Sequence, residues 1–289
     1  MRRTALAVSL LTLLSACSTA PAPVAAPAPL QAERAEDRSR NPLLYSVVWL
    51  QTSGEYRALA LQAFAAAGSA IDRALADPSW TAAVEQPSAG PMLPPAVIVD
   101  IDETMLDNSP FEARLIKDGG AFTPETWAGW VEERNAGPIP GALEYARQAA
   151  ASGVTIFYVS NRDAEGEMAT RDNLVRVGFP VATEVDTVLL RGEREDWKNS
   201  DKGTRRAWVA ERHRIVAMIG DDLGDFLPNA RVGRDERDAM VERYREWWGT
   251  RWFVIPNPMY GSWEGALTSG ATTPEERMER LMQALRPAR

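Results

Sequence analysis

The stretch AVIVDIDETMLDNSP, residues 96–110, ends a short apolar run in two aspartates one residue apart, followed by Glu103, Thr104 and Asp107. Residues two apart on an extended strand point to the same side, so Asp100 and Asp102 share a face where the strand stops. Two carboxylates that close repel, and burying them is costly without a cation or a proton between them. Phosphoryl transfer assisted by a divalent cation resolves the conflict. One aspartate attacks phosphorus while Mg2+ shields its charge. The other, kept protonated, gives its proton to the leaving oxygen and then activates water. A calcium loop of EF-hand type also begins Asp-x-Asp, but Met105 stands where it needs glycine and Phe111 where it needs glutamate.

Three other clusters offer matching chemistry. FYVSNR places Ser160 at a strand end, where its hydroxyl and nearby backbone N–H groups can hold phosphate oxygens. NSDKGTRRAW puts Lys202 at the start of a helix, where it can neutralise phosphate and the attacking aspartate together. MIGDDLGDF supplies Asp221, Asp222 and Asp225, and one or two carboxylates there would complete the oxygen shell of a Mg2+ that keeps several waters. Each cluster alone is also ordinary turn or helix-face chemistry. Their convergence is what carries weight.

Elements that can position them follow from the apolar pattern. Candidate strands are 96–101, 154–159, 186–190, 215–219 and 251–255, with helical stretches near 140–151, 165–177, 202–212 and 235–248. Continuous apolar strands separated by helices predict an α/β fold with a doubly wound parallel sheet. In such sheets ligands bind at the carboxyl ends of the strands, where the polar clusters fall. The interval of about 105–139 holds Pro110, Gly119, Gly120 and Pro124 and fits no simple crossover, so an inserted cap is expected there. Upstream, residues 41–76 carry helical spacing with Ser53 as an N-cap, and 77–95 read as a loop.

The chain has 289 residues and a net charge of −8, which argues against non-specific binding to nucleic acid. Residues 1–16 read as an export signal: Arg2 and Arg3 precede an apolar stretch too short for a bilayer, which needs about 20 residues. It ends at LSAC, and Cys17 is the single cysteine, which predicts a bacterial lipoprotein with Cys17 lipidated. Ser18 after it favours the outer membrane. Residues 17–40, rich in Ala and Pro at their start, read as a tether, and 41–289 as the folded domain. The single histidine, His213, argues against multi-histidine zinc sites and against histidine-nucleophile phosphatases.

The order Asp-x-Asp-x-Thr, strand-Ser, Lys, Gly-Asp-x-x-x-Asp resembles the haloacid dehalogenase superfamily, and Asp102 points to its phosphatase branch. WLQTSGEYRALALQAF (49–64), VDIDETMLDNSPF (99–111), SDKGTRRAWV (200–209), IGDDLGDF (219–226) and IPNPMYGSWEGAL (255–267) are similar to the class C acid phosphatases, bacterial lipid-anchored 5′-nucleotidases. The resemblance implies a Rossmannoid sheet with a cap and an N-terminal helical segment. It makes Asp100 the nucleophile that becomes an aspartyl-phosphate, and Asp102 the acid–base that also offers its backbone carbonyl to Mg2+. Asp221 would contact the metal, Asp225 would orient the site beside it, and Ser160 and Lys202 would bind phosphate, with Lys198 the alternative lysine. Trp127 and Tyr260 match the positions whose rings stack on the nucleobase, and Trp130 is expected on the buried side of its helix.

The expected partners are a nucleotide and, through the lipid anchor, the outer membrane of a Gram-negative bacterium, on its periplasmic or its outer face. A homodimer is compatible with the family, and a nucleic-acid polymer is not expected. Two alternatives stay open: a non-catalytic lipoprotein that binds nucleotide or haem, and a phosphatase for other phosphomonoesters.

Overall fold

A computed structural model describes residues 41–88 and 93–288. The signal segment, Cys17 and the tether lie outside the described residues. Two helices, α1 (Leu44–Thr52) and α2 (Gly54–Ala76), lead into the first strand, β1 (Pro95–Val99). An excursion follows: β2 (Leu106–Asp107), α3 (Ser109–Asp118), α4 (Pro124–Glu133) and β3 (Gly137–Pro138). Helices and strands then alternate through α5 (Ala142–Ala151), β4 (Thr155–Asp163), α6 (Glu167–Val177), β5 (Val188–Arg191), α7 (Gly203–Ala210) and β6 (Arg214–Gly220). The chain ends with α8 (Leu223–Phe226), α9 (Arg234–Arg243), β7 (Trp252–Val254), α10 (Ser262–Thr268) and α11 (Pro274–Ala284).

Five strands form one parallel sheet in the order β5-β4-β1-β6-β7. The chain winds outward from β1 through β4 and β5, then returns to the other side for β6 and β7. Connections therefore diverge at the carboxyl end of β1, which is the switch point where such sheets form their sites. The period-2 alternation of β1 divides the core. Val97 and Val99 pack with Phe64 and Ile71 of α2 and Tyr145 of α5, while Ala96 and Ile98 pack with Phe157, Val209 and Phe226 on the opposite face. Both faces of β1 are buried, as its unbroken apolar run requires.

The N-terminal helix is interrupted where its cap was expected. Ser53 adopts extended dihedrals and its Oγ accepts from Tyr56 N at 3.1 Å, so α1 stops and α2 starts. The helix expected to reach 248 stops at Arg243, because the aromatic residues beyond it fold back onto Trp252, with Trp247 at 4.8 Å and Trp248 at 5.0 Å between ring centroids. The sequence reading gave no helix beyond residue 248; α10 and α11 are short surface helices there. The excursion between β2 and β3 closes as a small antiparallel pair, Leu106 opposite Pro138, so its two helices sit together as a cap. Among the described residues no helix is long and apolar enough to cross a membrane.

Candidate active site

Asp100 leaves β1 still in register, its N–H donating to Ile219 O at 3.0 Å. Lys202, at the N-cap of α7, is 5% exposed, and its Nζ lies 2.6 Å from Asp100 Oδ1 and 2.6 Å from Asp225 Oδ1. Asp100 Oδ1 is shielded from solvent, and its partner is the Lys202 ammonium. Asp221 follows β6 directly, held by Thr104 Oγ1 on its Oδ1 at 3.1 Å and Asn257 Nδ2 on its Oδ2 at 2.8 Å. Asp225 folds back to accept from Asp222 N at 2.9 Å. Gly220 permits that fold, since a Cβ there would sit 2.6 Å from the Asp225 carboxylate carbon.

One oxygen each from Asp100, Asp221 and Asp225 lies within 4.8 Å of the others. Their ionisation is suppressed. Burial, opposed by Lys202 and reinforced by Asp225 and Asp102, pushes the Asp100 carboxyl up to about 7. Burial, with Asp225 and Asp100 adding, holds Asp221 well above the usual carboxylate range. Asp225 is raised by burial too, against the pull of Lys202. Burial works against the Lys202 charge, yet Asp100 and Asp225 outweigh it and raise that pKa. Three convergent carboxylates are a donor set for a hard divalent cation, which would return them to the ionised form. The residues fit such an ion.

Asp102 faces different company. Arg162 donates to its Oδ1 from Nη2 at 2.7 Å and Nε at 3.0 Å, Asn108 Nδ2 donates to Oδ1 at 2.9 Å, and Ser160 Oγ donates to Oδ2 at 3.2 Å. Its side chain is not one of the three clustered acids. Glu103 turns the chain just after Asp102 at φ 57°, a left-handed conformation that few non-glycine residues adopt. Its buried carboxylate accepts from Asn108 N at 2.8 Å and from the Tyr260 hydroxyl. Trp127 is half-buried in the cap, edge-on to Phe111 at 5.4 Å, near Phe122 at 6.3 Å, with the Arg162 guanidinium 5.6 Å from its ring centroid.

The sequence-derived residues therefore gather at one sheet edge, in two groups. Lys198 is exposed and paired with Glu195 at 2.7 Å, which leaves Lys202 as the lysine beside Asp100. Asp107 accepts from Ser109 N at 2.8 Å and belongs to the exit into α3. Trp130 is 3% exposed, on the buried side of α4. His213 packs on Phe157 at 4.8 Å, at the start of β6 and away from the acids. Sequence reasoning missed Arg162, Asn108 and Asn257. Arg162 lies inside the FYVSNR motif, two residues past Ser160 on the strand's same side, and that spacing was the available signal. Asn257 carries no such signal.

A parallel sheet whose central strand ends in Asp-x-Asp, with a lysine and further acids arriving from neighbouring strand ends and a cap above, defines a phosphoryl-transfer site of haloacid dehalogenase type. Residues 1–263 match the family described as HAD superfamily, subfamily IIIB (Acid phosphatase), and the chain belongs to that family. It is similar to the class C acid phosphatase of Bacillus anthracis in two solved structures, one of them with tungstate bound. Identity is 32% and the TM-score 0.76 in each case, over 89% of this chain and 100% of that one. It is also 28% identical over 166 residues to Acid phosphatase 1 of Solanum lycopersicum. That match takes in 56% of this chain and spans 57% of the tomato protein's length.

Proposed function

We propose that this chain hydrolyses 5′-nucleotide monophosphates with Mg2+ as cofactor, through a phosphoryl group carried transiently on Asp100. The observation that carries this reading is the Asp100 carboxylate at the end of β1, held between Lys202 and the acids Asp221 and Asp225. Held by Asp100, Asp221 and Asp225, with the Asp102 backbone carbonyl, Mg2+ would supply charge screening for the attacking carboxylate and the phosphate. Asp100 attacks phosphorus, the bond to the ester oxygen breaks, and Asp102 gives that oxygen its proton. Asp102 then takes a proton from water, which attacks phosphorus and releases phosphate from Asp100. Lys202 offsets the repulsion between the Asp100 carboxylate and the incoming phosphate, and Ser160 borders the phosphate. The Bacillus anthracis enzyme has been solved with tungstate, a tetrahedral oxyanion as phosphate is, which supports oxyanion binding by this chain.

Trp127 and Tyr260 supply the base-binding rings in this reading, and stacking accepts any base. Lipidation of Cys17 would tether the enzyme to the outer membrane, with residues 18–40 as the spacer. The test is acid-quenched turnover of a radiolabelled nucleoside monophosphate. Labelled protein should appear in wild type, vanish with EDTA and be absent from Asp100→Asn, whose kcat should fall on the order of 10⁴-fold or more. Wild-type turnover by Asp100→Asn would overturn the mechanism. Failure of wild type to turn over any nucleotide, with an aryl phosphate still cleaved, would overturn the substrate.

A further inference from the structure

Asp102 is gripped by four donor atoms, and one of them comes from the cap side. Asn108 stands at the entry to α3, 1% exposed, and its Nδ2 reaches Asp102 Oδ1 at 2.9 Å and Glu103 Oε2 at 3.3 Å. An asparagine side chain has a donor end and an acceptor end, and a half-turn about its last bond exchanges them. Here the half-turn is barred. The indole Nε1 of Trp130, which can only donate, lies 2.8 Å from Asn108 Oδ1. Turning the amide over would set N–H against N–H at Trp130 and a carbonyl oxygen against the carboxylates of Asp102 and Glu103. Trp130 is in turn buried against Phe111, with ring centroids 6.1 Å apart.

We propose that Trp130 and Asn108 form a positioning relay, in which the cap tryptophan fixes the amide and the amide fixes Asp102 for proton transfer. The inference rests on the reading of Asp102 as the acid–base. It adds that the cap, besides meeting the substrate, sets the geometry of the proton donor beneath it. Asn108 and Trp130 are positioning residues, since their contacts are with Asp102 and with each other.

The chemistry supplies a readout that a merely structural role would not move. A sugar alkoxide is a poor leaving group and needs its proton as the bond breaks, whereas 4-nitrophenolate leaves almost unaided. Loss of Asp102 alignment should therefore slow transfer from a nucleotide far more than transfer from 4-nitrophenyl phosphate. Trp130→Phe removes the indole N–H and keeps an aromatic body, and Asn108→Ala removes the amide. Single-turnover phosphorylation rates with AMP and with 4-nitrophenyl phosphate are measured for both variants and for Asp102→Asn.

In each relay variant the AMP rate should fall about tenfold or more, part of the ~10²–10⁴-fold worth of a general acid. The 4-nitrophenyl phosphate rate should stay within about twofold of wild type, a change small on the scale of that general-acid effect. Equal losses on both substrates, or no loss on AMP, in both relay variants overturn the relay. If Asp102→Asn discriminates between the substrates and the relay variants do not, the relay alone is wrong. If Asp102→Asn does not discriminate either, the acid–base reading of Asp102 fails with it. Should Trp130→Phe melt well below wild type, Asn108→Ala decides alone.

Discussion

Asp100 and Asp102 are separated by one residue and inhabit opposite halves of the site. Around Asp100, Lys202 pairs with Asp100 and Asp225, Asp221 lies beside them, and burial holds all three acids above the ordinary carboxylate range. Around Asp102, a guanidinium, an amide and a hydroxyl all donate to one carboxylate. The first half is short of positive charge, and its acids and lysine come from strand ends and the helix starts beside them. The second is saturated with hydrogen bonds and reaches into the cap through Asn108 and Trp130. Two like groups pushed into unlike surroundings can take unlike roles, a nucleophile on the sheet side and a proton carrier on the cap side. The chain achieves this separation with a single intervening residue, Ile101, because alternate contacts are drawn from different elements.

Removing the cation from each half should expose the difference most strongly. Lys202→Met leaves Asp100 and Asp225 buried without their shared counter-charge, a change that typically costs about 3–5 kcal/mol. The variant should unfold at lower urea than wild type and lose roughly 10²–10³-fold in kcat. Arg162→Met leaves Asp102 with Asn108 and Ser160, so its stability loss should be the smaller of the two. Urea midpoints of the two variants decide this, and an Arg162 variant less stable than the Lys202 variant would break the comparison.

A milder separation is expected at the cap. Trp127→Ala removes a half-buried ring that stands over Arg162 and against Phe111. A stacked base is worth about 1–3 kcal/mol, so KM for a nucleotide should rise on the order of tenfold. Steady-state constants for 4-nitrophenyl phosphate should stay close to wild type, because no base is present to stack. A matching rise for both substrates would mean that Trp127 holds the cap together and leaves substrate choice to other groups.

The halves differ as well in how far the sequence reveals them. The Asp100 half is legible, because strand ends carry short motifs whose spacing survives in the linear chain. The run AVIVD, the lysine opening α7 and the GDDLGD turn each announce themselves. Gly220 is readable in hindsight, since the fold-back of Asp225 leaves no room for a Cβ. The Asp102 half is less legible. Arg162 was passed over inside a recognised motif, and Asn108 sits in LDNSPF, where an asparagine before a helix reads as turn chemistry. Its link to Trp130 spans 22 positions and depends on how two cap helices pack. In the Asp100 half one support escapes too, because Asn257 reaches Asp221 across 36 positions from a loop without periodicity. Similarly, α9 stops early because of aromatic packing on Trp252, a tertiary effect that helical spacing does not record.

The smallest effect concerns a buried acid outside both halves. Glu112 on α3 is 6% exposed, and burial alone pushes its carboxyl from 4.5 up to about 7. Below the unfolded value both states hold the proton and the group costs nothing. As pH rises from about 4.5 to about 7 the unfolded chain releases its proton first, so stability falls through that window and levels off above it. Glu112→Gln cannot ionise and removes this contribution. The variant should match wild type near pH 4 and exceed it by about 1–3 kcal/mol near pH 8. Urea unfolding across that range provides the measurement, and the difference between the two profiles isolates Glu112 from acids common to both. Such a gain would locate the cost in the cap and separate it from the acids of the sheet edge, which both proteins share. Parallel profiles would mean that water or a neighbour already satisfies the ionised Glu112, and that the cap holds its acid as comfortably as it holds Asp102.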